Sequence, residues 1–124
     1  MSSDEGMAAL KVETEHRAEA VLLRAAGEVD SYTAPVLRES LAAAFTAAAT
    51  AGLPVVLDLS EVAFFASSGL SVLIEYHQLG GDQDISLRLV SPSGSVLRAL
   101  RATTLNEVLD LYYSLPEAIS GRRG

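Results

Sequence analysis

Val55-Val56-Leu57-Asp58-Leu59 leads through Ser60-Glu61-Val62-Ala63-Phe64-Phe65-Ala66 into Ser67-Ser68-Gly69-Leu70-Ser71-Val72. Apart from Asp58, the first segment is apolar and rich in β-branched residues, the pattern of a strand buried on both faces. Residues 60–66 read as a loop. Ser67 or Ser68 then caps a helix that carries Leu70, Leu73, Ile74 and His77 on one face. Gly80-Gly81 ends it.

The same alternation extends in both directions. Upstream, residues 10–16 alternate apolar and polar, and residues 19–26 form a second strand around Val21-Leu22-Leu23 that ends at Gly27. A short polar turn between them predicts an antiparallel hairpin. Asp30 or Ser31 caps the next helix, with Pro35 in its first turn, where a missing N–H costs nothing. Val36, Leu37, Leu41, Ala44, Phe45 and Ala48 recur at helical spacing, and Gly52 with Pro54 stops the helix. Downstream, residues 85–90 alternate as a strand, Ser91-Pro92-Ser93 opens a helix to about Arg101, residues 108–113 form a last strand and residues 115–119 a short final helix. The order β-β-α-β-α-β-α-β-α predicts an α/β fold, a small mixed sheet flanked by about four helices and joined by right-handed crossovers. Residues 1–7 read as an N-terminal tail, 8–119 as one domain and 120–124 as a C-terminal tail.

Composition narrows the function. A chain of 124 residues suits one domain. Nine Lys and Arg against sixteen Asp and Glu leave a net charge of −7, which repels phosphate backbones and argues against nucleic acid and anionic membranes as partners. With no Cys, disulfide scaffolds, thiolate zinc sites and cysteine nucleophiles are excluded. The N-terminus carries acids where a secretory signal carries positive charge. The most membrane-like stretch, residues 41–57, is mostly Ala and is broken by Thr46, Thr50, Gly52 and Pro54, so a cytoplasmic protein is expected. Nothing here fixes an oligomeric state.

Catalytic constellations are missing. Neither a phosphate-binding Gly-rich loop nor a dinucleotide fingerprint occurs. Lys11 is the only lysine, and His16 and His77 lack a second ligand at metal spacing. Ala66-Ser67-Ser68-Gly69 has glycine on one side only, unlike a hydrolase nucleophile elbow. Asp82 and Asp84 read as turn formers; Glu28 and Asp30 flank a strand-to-helix loop, where capping by Asp30 competes with a place on a partner surface. No enzyme, metal or cofactor is expected.

The serine turn is the informative place. Ligands and partners of open α/β sheets meet the carboxyl ends of the strands, and the loop after Gly27 shares that edge if its strand runs parallel to the central one. A phosphate added there would bring about −1.5 to −2 units of charge. A helix N-terminus tolerates that, by about 0.3–1 kcal/mol when exposed. A partner docked over the turn would instead have to desolvate the phosphate.

In its ordered set of motifs the chain resembles the STAS-domain anti-sigma-factor antagonists of bacteria. The likeness runs through Gly27-Glu28-Val29-Asp30 with Thr33-Ala34-Pro35-Val36-Leu37-Arg38, through Val55-Val56-Leu57-Asp58-Leu59-Ser60 with Phe64-Phe65 and Ser67-Ser68-Gly69-Leu70, and through Leu87-Arg88-Leu89-Val90-Ser91-Pro92 with Val96-Leu97-Arg98-Ala99-Leu100. The resemblance implies binding to an anti-sigma factor, usually a serine kinase, which frees a sigma factor. It further implies phosphorylation of Ser67 by that kinase, release of the antagonist, and resetting by a phosphatase. Asp30, Thr33, Ser67, Ser68, Gly69, Leu70, Ser71 and Val72 would form the partner surface. Val72 and Tyr76, off the Leu70 stripe, are either contacts or packing against a neighbouring helix. Two departures stand out: Ala66 replaces the family's Asp before the acceptor serine, and Ser71 replaces a glycine. Ala66 leaves a second reading open, a STAS subunit of a lipid-transport or other multiprotein complex that is never phosphorylated.

Overall fold

The computed structural model describes residues 9–91 and 94–122. Charged and apolar residues alternate along β1 (Leu10–His16), which turns tightly into β2 (Val21–Val29). Then follow α1 (Ala34–Ala51), β3 (Val55–Phe65), α2 (Ser67–Gln83), β4 (Leu87–Val90), α3 (Gly94–Ala102), a single 3₁₀ turn (Leu105–Glu107), β5 (Asp110–Tyr112) and α4 (Leu115–Ser120). The five strands lie in sequence order, β1-β2-β3-β4-β5. β1 and β2 are antiparallel and every later pair is parallel, the mixed α/β sheet that the element order implies.

Each face of the sheet has its own cover. Leu23, Leu57 and Leu89 share the main core with Leu37, Leu41 and Phe45 of α1, Leu73 of α2 and Leu100 of α3. On the opposite face a smaller cluster, with Leu22, Val56, Val90 and Tyr112, sits under Ala118 of α4. Arg88 fastens that helix: its Nη1 donates to the carbonyls of Ala118 (3.0 Å) and Ile119 (3.3 Å), at the end where the helix dipole is negative. Lys11, Glu13 and Glu15 line the β1 edge with charge; Lys11 pairs with Glu13 at 3.5 Å and Glu15 with Arg17 at 3.0 Å.

Several boundaries differ from those read in the sequence. Residues 60–65 are not a loop but the second half of β3. They remain hydrogen-bonded because β2 continues past Gly27 (φ +121°), while β3 takes up an extra residue at each of two register shifts, so that the strands stay in step until Val29 meets Phe65. Residues 108–113 form a strand only at Asp110–Tyr112, because the 3₁₀ turn occupies the chain just before it. α4 continues to Ser120, so the expected C-terminal tail begins inside a helix. The expected tail at residues 1–7 and the Pro92-Ser93 helix start lie outside the described residues.

Gly80-Gly81 does not end α2, which closes three residues later at Asp84 in the left-handed conformation (φ 62°). Gly80 serves close approach instead: a Cβ there would stand 2.3 Å from the Ile85 carbonyl oxygen, whereas one on Gly81 would meet nothing within 4 Å. Adjacent glycines should therefore respond with opposite signs. Gly81→Ala should raise stability by about 0.5–1 kcal/mol through helix propensity, and Gly80→Ala should lower it by about 1–3 kcal/mol through overpacking. Urea denaturation midpoints measure both.

Candidate functional site

Because β2 and β3 are parallel, their carboxyl ends open onto one edge, and the Ala66 N–H donates to the Val29 carbonyl at 2.9 Å. The β2–α1 loop and the start of α2 are thereby joined. Within the loop, Asp30 and Thr33 lock each other. Asp30 Oδ1 accepts from the N–H groups of Tyr32 (2.9 Å) and Thr33 (3.0 Å). Thr33 Oγ1 accepts from the Asp30 N–H at 2.9 Å and donates to the Glu28 carbonyl at 2.8 Å. Neither Asp30 nor Ser31 caps α1; the N-cap is Thr33, with no side-chain cap bond. Asp30 caps the tight turn ahead of the helix through Oδ1, and Tyr32 at the turn is 89% exposed.

α2 begins differently from the sequence expectation as well. Its N-cap is Ala66, extended at φ −86° and ψ 172°, and neither serine caps it. The Ala66 carbonyl accepts from Gly69 at 2.9 Å and Leu70 at 3.3 Å, while the N–H groups of Ser67 and Ser68 have no partner among the described residues. The two adjacent hydroxyls have opposite fates. Ser67 is exposed, but Ser68 Oγ is buried without a hydrogen-bond partner. Gly69 explains the close seating of this turn: a Cβ would come within 2.7 Å of both Val29 Cγ1 and Phe65 Cζ.

From Ser67 onward the helix presents Ser71, Glu75 and Gln78 to solvent, and the Ser71 hydroxyl donates to the Ser67 carbonyl at 3.2 Å. Gly69, Leu70, Val72, Leu73, Tyr76 and Gly80 are buried. The inward stripe is thus rotated from the expected one, and Ile74 and His77 are only half-buried. Val72 is 0% exposed and is corrected from a partner contact to core. Leu70 and Gly69 are likewise buried and shape the site from below. α2 rests on α1 as well as on the sheet, which widens its buried arc. The rings of Phe45 and Tyr76 meet edge to face with centroids 5.2 Å apart, and Arg38 pairs with Glu75 at 3.0 Å across the two helices.

Apolar side chains missed by the motif reading complete the edge. With Tyr32, Phe64 (49% exposed) and Val36 (41%) stand out to solvent around the serine turn. Phe64 was legible in principle, being out of phase with the inward Phe65. The segments 25–37 and 59–75 carry Glu28, Asp30, Glu61 and Glu75 but no Lys or Arg. No group of three or more His, Asp or Glu among the described residues could hold a metal, and no helix there is long and apolar enough to cross a membrane. What the edge offers is a hydroxyl on an open helix start, with exposed apolar side chains on the adjoining loop, strand end and first helix.

Known proteins carry the same architecture. Residues 11–118 match the STAS domain family. An anti-sigma-B factor antagonist of Bacillus subtilis is 29% identical over 82% of this chain and 90% of its own length. The anti-sigma-F factor antagonist RsfB of Mycobacterium tuberculosis is 31% identical over 83% and 81%. A crystal structure of an anti-sigma factor antagonist from Mycobacterium paratuberculosis superposes with a TM-score of 0.80 at 25% identity, over 93% of this chain and 95% of that one. With residues 11–118 matched to its model, the chain belongs to the STAS domain family.

Proposed function

We propose that this protein is an anti-sigma factor antagonist, a binding protein rather than an enzyme, that captures an anti-sigma factor through the edge bearing Ser67 and so frees a sigma factor in the cytoplasm. The anti-sigma factor is a serine kinase that phosphorylates Ser67, and a phosphatase reverses the modification. The observation that carries this reading is the contrast between the two serines: the Ser67 hydroxyl stands in solvent at the first position of α2, and that of Ser68 is turned into the protein. The names of the relatives supply the partner class.

Charge supports the switch. A phosphate on Ser67 would sit beside the open N–H groups of Ser67 and Ser68 and the positive end of the α2 dipole, so the fold accommodates it. Arg38, just beyond the loop, is already paired with Glu75 at 3.0 Å, and a partner docked over the phosphate would have to desolvate it. Ala66 removes the acidic neighbour of the acceptor, and it alone supports the competing reading of a STAS subunit that is never phosphorylated. Phosphosite mapping after incubation with the host's anti-sigma kinases separates the two, because phosphate on Ser67 excludes the competing reading.

Ser67→Glu should weaken anti-sigma factor binding at least tenfold, about 1.4 kcal/mol, with an unchanged melting temperature; isothermal titration and thermal melts test it, and undiminished binding would overturn the switch. Ser67→Ala should bind normally and resist phosphorylation. Tyr32→Ala should cost about 1–2 kcal/mol of affinity, as expected for an exposed aromatic anchor at an interface centre, and leave the fold intact.

A further inference from the structure

Residues 40–51 of α1 contain no charged side chain, although Ala42, Ala43, Thr46, Ala49 and Thr50 are all exposed. On a protein of net charge −7, a solvent-facing helix surface ordinarily carries charge. Beside this smooth ridge runs a groove of about 700 Å³, walled by Ala42, Thr46 and Ala49 of α1 and by Tyr76 and Leu79 of α2. Tyr76 is only 6% exposed, and its hydroxyl has no hydrogen-bond partner among the described residues. Burial and then the Glu75 carboxylate raise its pKa above the ordinary 10.0, with Arg38 pulling the other way. The groove is built for an occupant that is small in profile and brings an acceptor.

We infer that this face joins two copies of the chain in a symmetric dimer, the α1 ridge of each lying in the α1–α2 groove of the other. The ridge has the required profile, since small side chains let helices approach closely. It also has the required acceptors. Thr46 Oγ1 donates to the Ala42 carbonyl at 3.1 Å and Thr50 Oγ1 to the Thr46 carbonyl at 3.2 Å. Each hydroxyl proton is thus used within its own helix, while oxygen lone pairs stay open to the Tyr76 phenol of the other copy. Charge allows a second copy too: the ridge itself carries no carboxylate, the Glu75 carboxylate beside the groove is already paired with Arg38 at 3.0 Å, and a self-complementary patch is what a two-fold interface needs. Tyr76 lies nine residues beyond Ser67, about 13 Å along the helix axis, so dimerisation leaves the serine turn open.

Sedimentation velocity on the full chain tests the inference. The wild type should show a concentration-dependent monomer–dimer equilibrium. Ala49→Glu should raise the dissociation constant at least tenfold, a change of about 1.4 kcal/mol, and Tyr76→Phe should raise it severalfold while keeping the ring packing; Thr46→Lys repeats the charge test should Ala49→Glu misfold. Since the chain has no cysteine, Ala49→Cys should be captured as a dimer by a short bis-maleimide, and Ser120→Cys on α4 should not. A wild type that stays monomeric to about 1 mM, or a dimer indifferent to both charge variants, would overturn the inference. A monomer whose anti-sigma factor binding is weakened by Ala49→Glu would assign the face to that partner and overturn it equally.

Discussion

The first turn of α2 lies directly on the ends of β2 and β3, and that contact governs the functional edge. It exists because position 69 has no Cβ: any side chain there would collide with Val29 and Phe65. With the turn seated, the Ala66 N–H reaches the Val29 carbonyl, the helix phase is set, and two neighbouring serines are sent in opposite directions. Parallel pairing of β2 and β3 brings the Asp30–Thr33 turn to the same place. One steric allowance thereby fixes which hydroxyl meets solvent and which loop stands beside it.

The edge separates scaffold from display. Asp30 Oδ1 and Thr33 Oγ1 engage each other and nearby backbone and so fix the loop, and Tyr32 is held exposed between them. Likewise Leu70 and Val72 hold α2 against the core. Charge placed on the outward residues therefore acts on whatever docks there and leaves the packing beneath alone, as a binding switch on a marginally stable domain requires.

Much of this was legible in the sequence wherever a signal is local. The apolar run 55–59, Pro35 in the first turn of a helix and the Gly52 stop each act through their own backbone, and the element order followed from them. What was missed depends on partners. Residues 60–65 extend a strand only because β2 runs on beside them while β3 bulges to keep the register. The buried stripe of α2 is rotated because α1 packs beside it, drawing in Val72 and Tyr76. Gly80 was read as a helix breaker, yet it answers a carbonyl five residues away. Helix capping was misassigned twice for a related reason: a hydroxyl or carboxylate near a helix start can serve the preceding turn, as Asp30 does, and a helix can begin with no side-chain cap at all.

The β1 border of the sheet discourages polymerisation. β1 offers seven residues, but Lys11, Glu13 and Glu15 project from it, and an incoming strand would have to bury or oppose those charges. Fibril-like growth through the backbone is thus opposed at that margin by charge rather than by bulk.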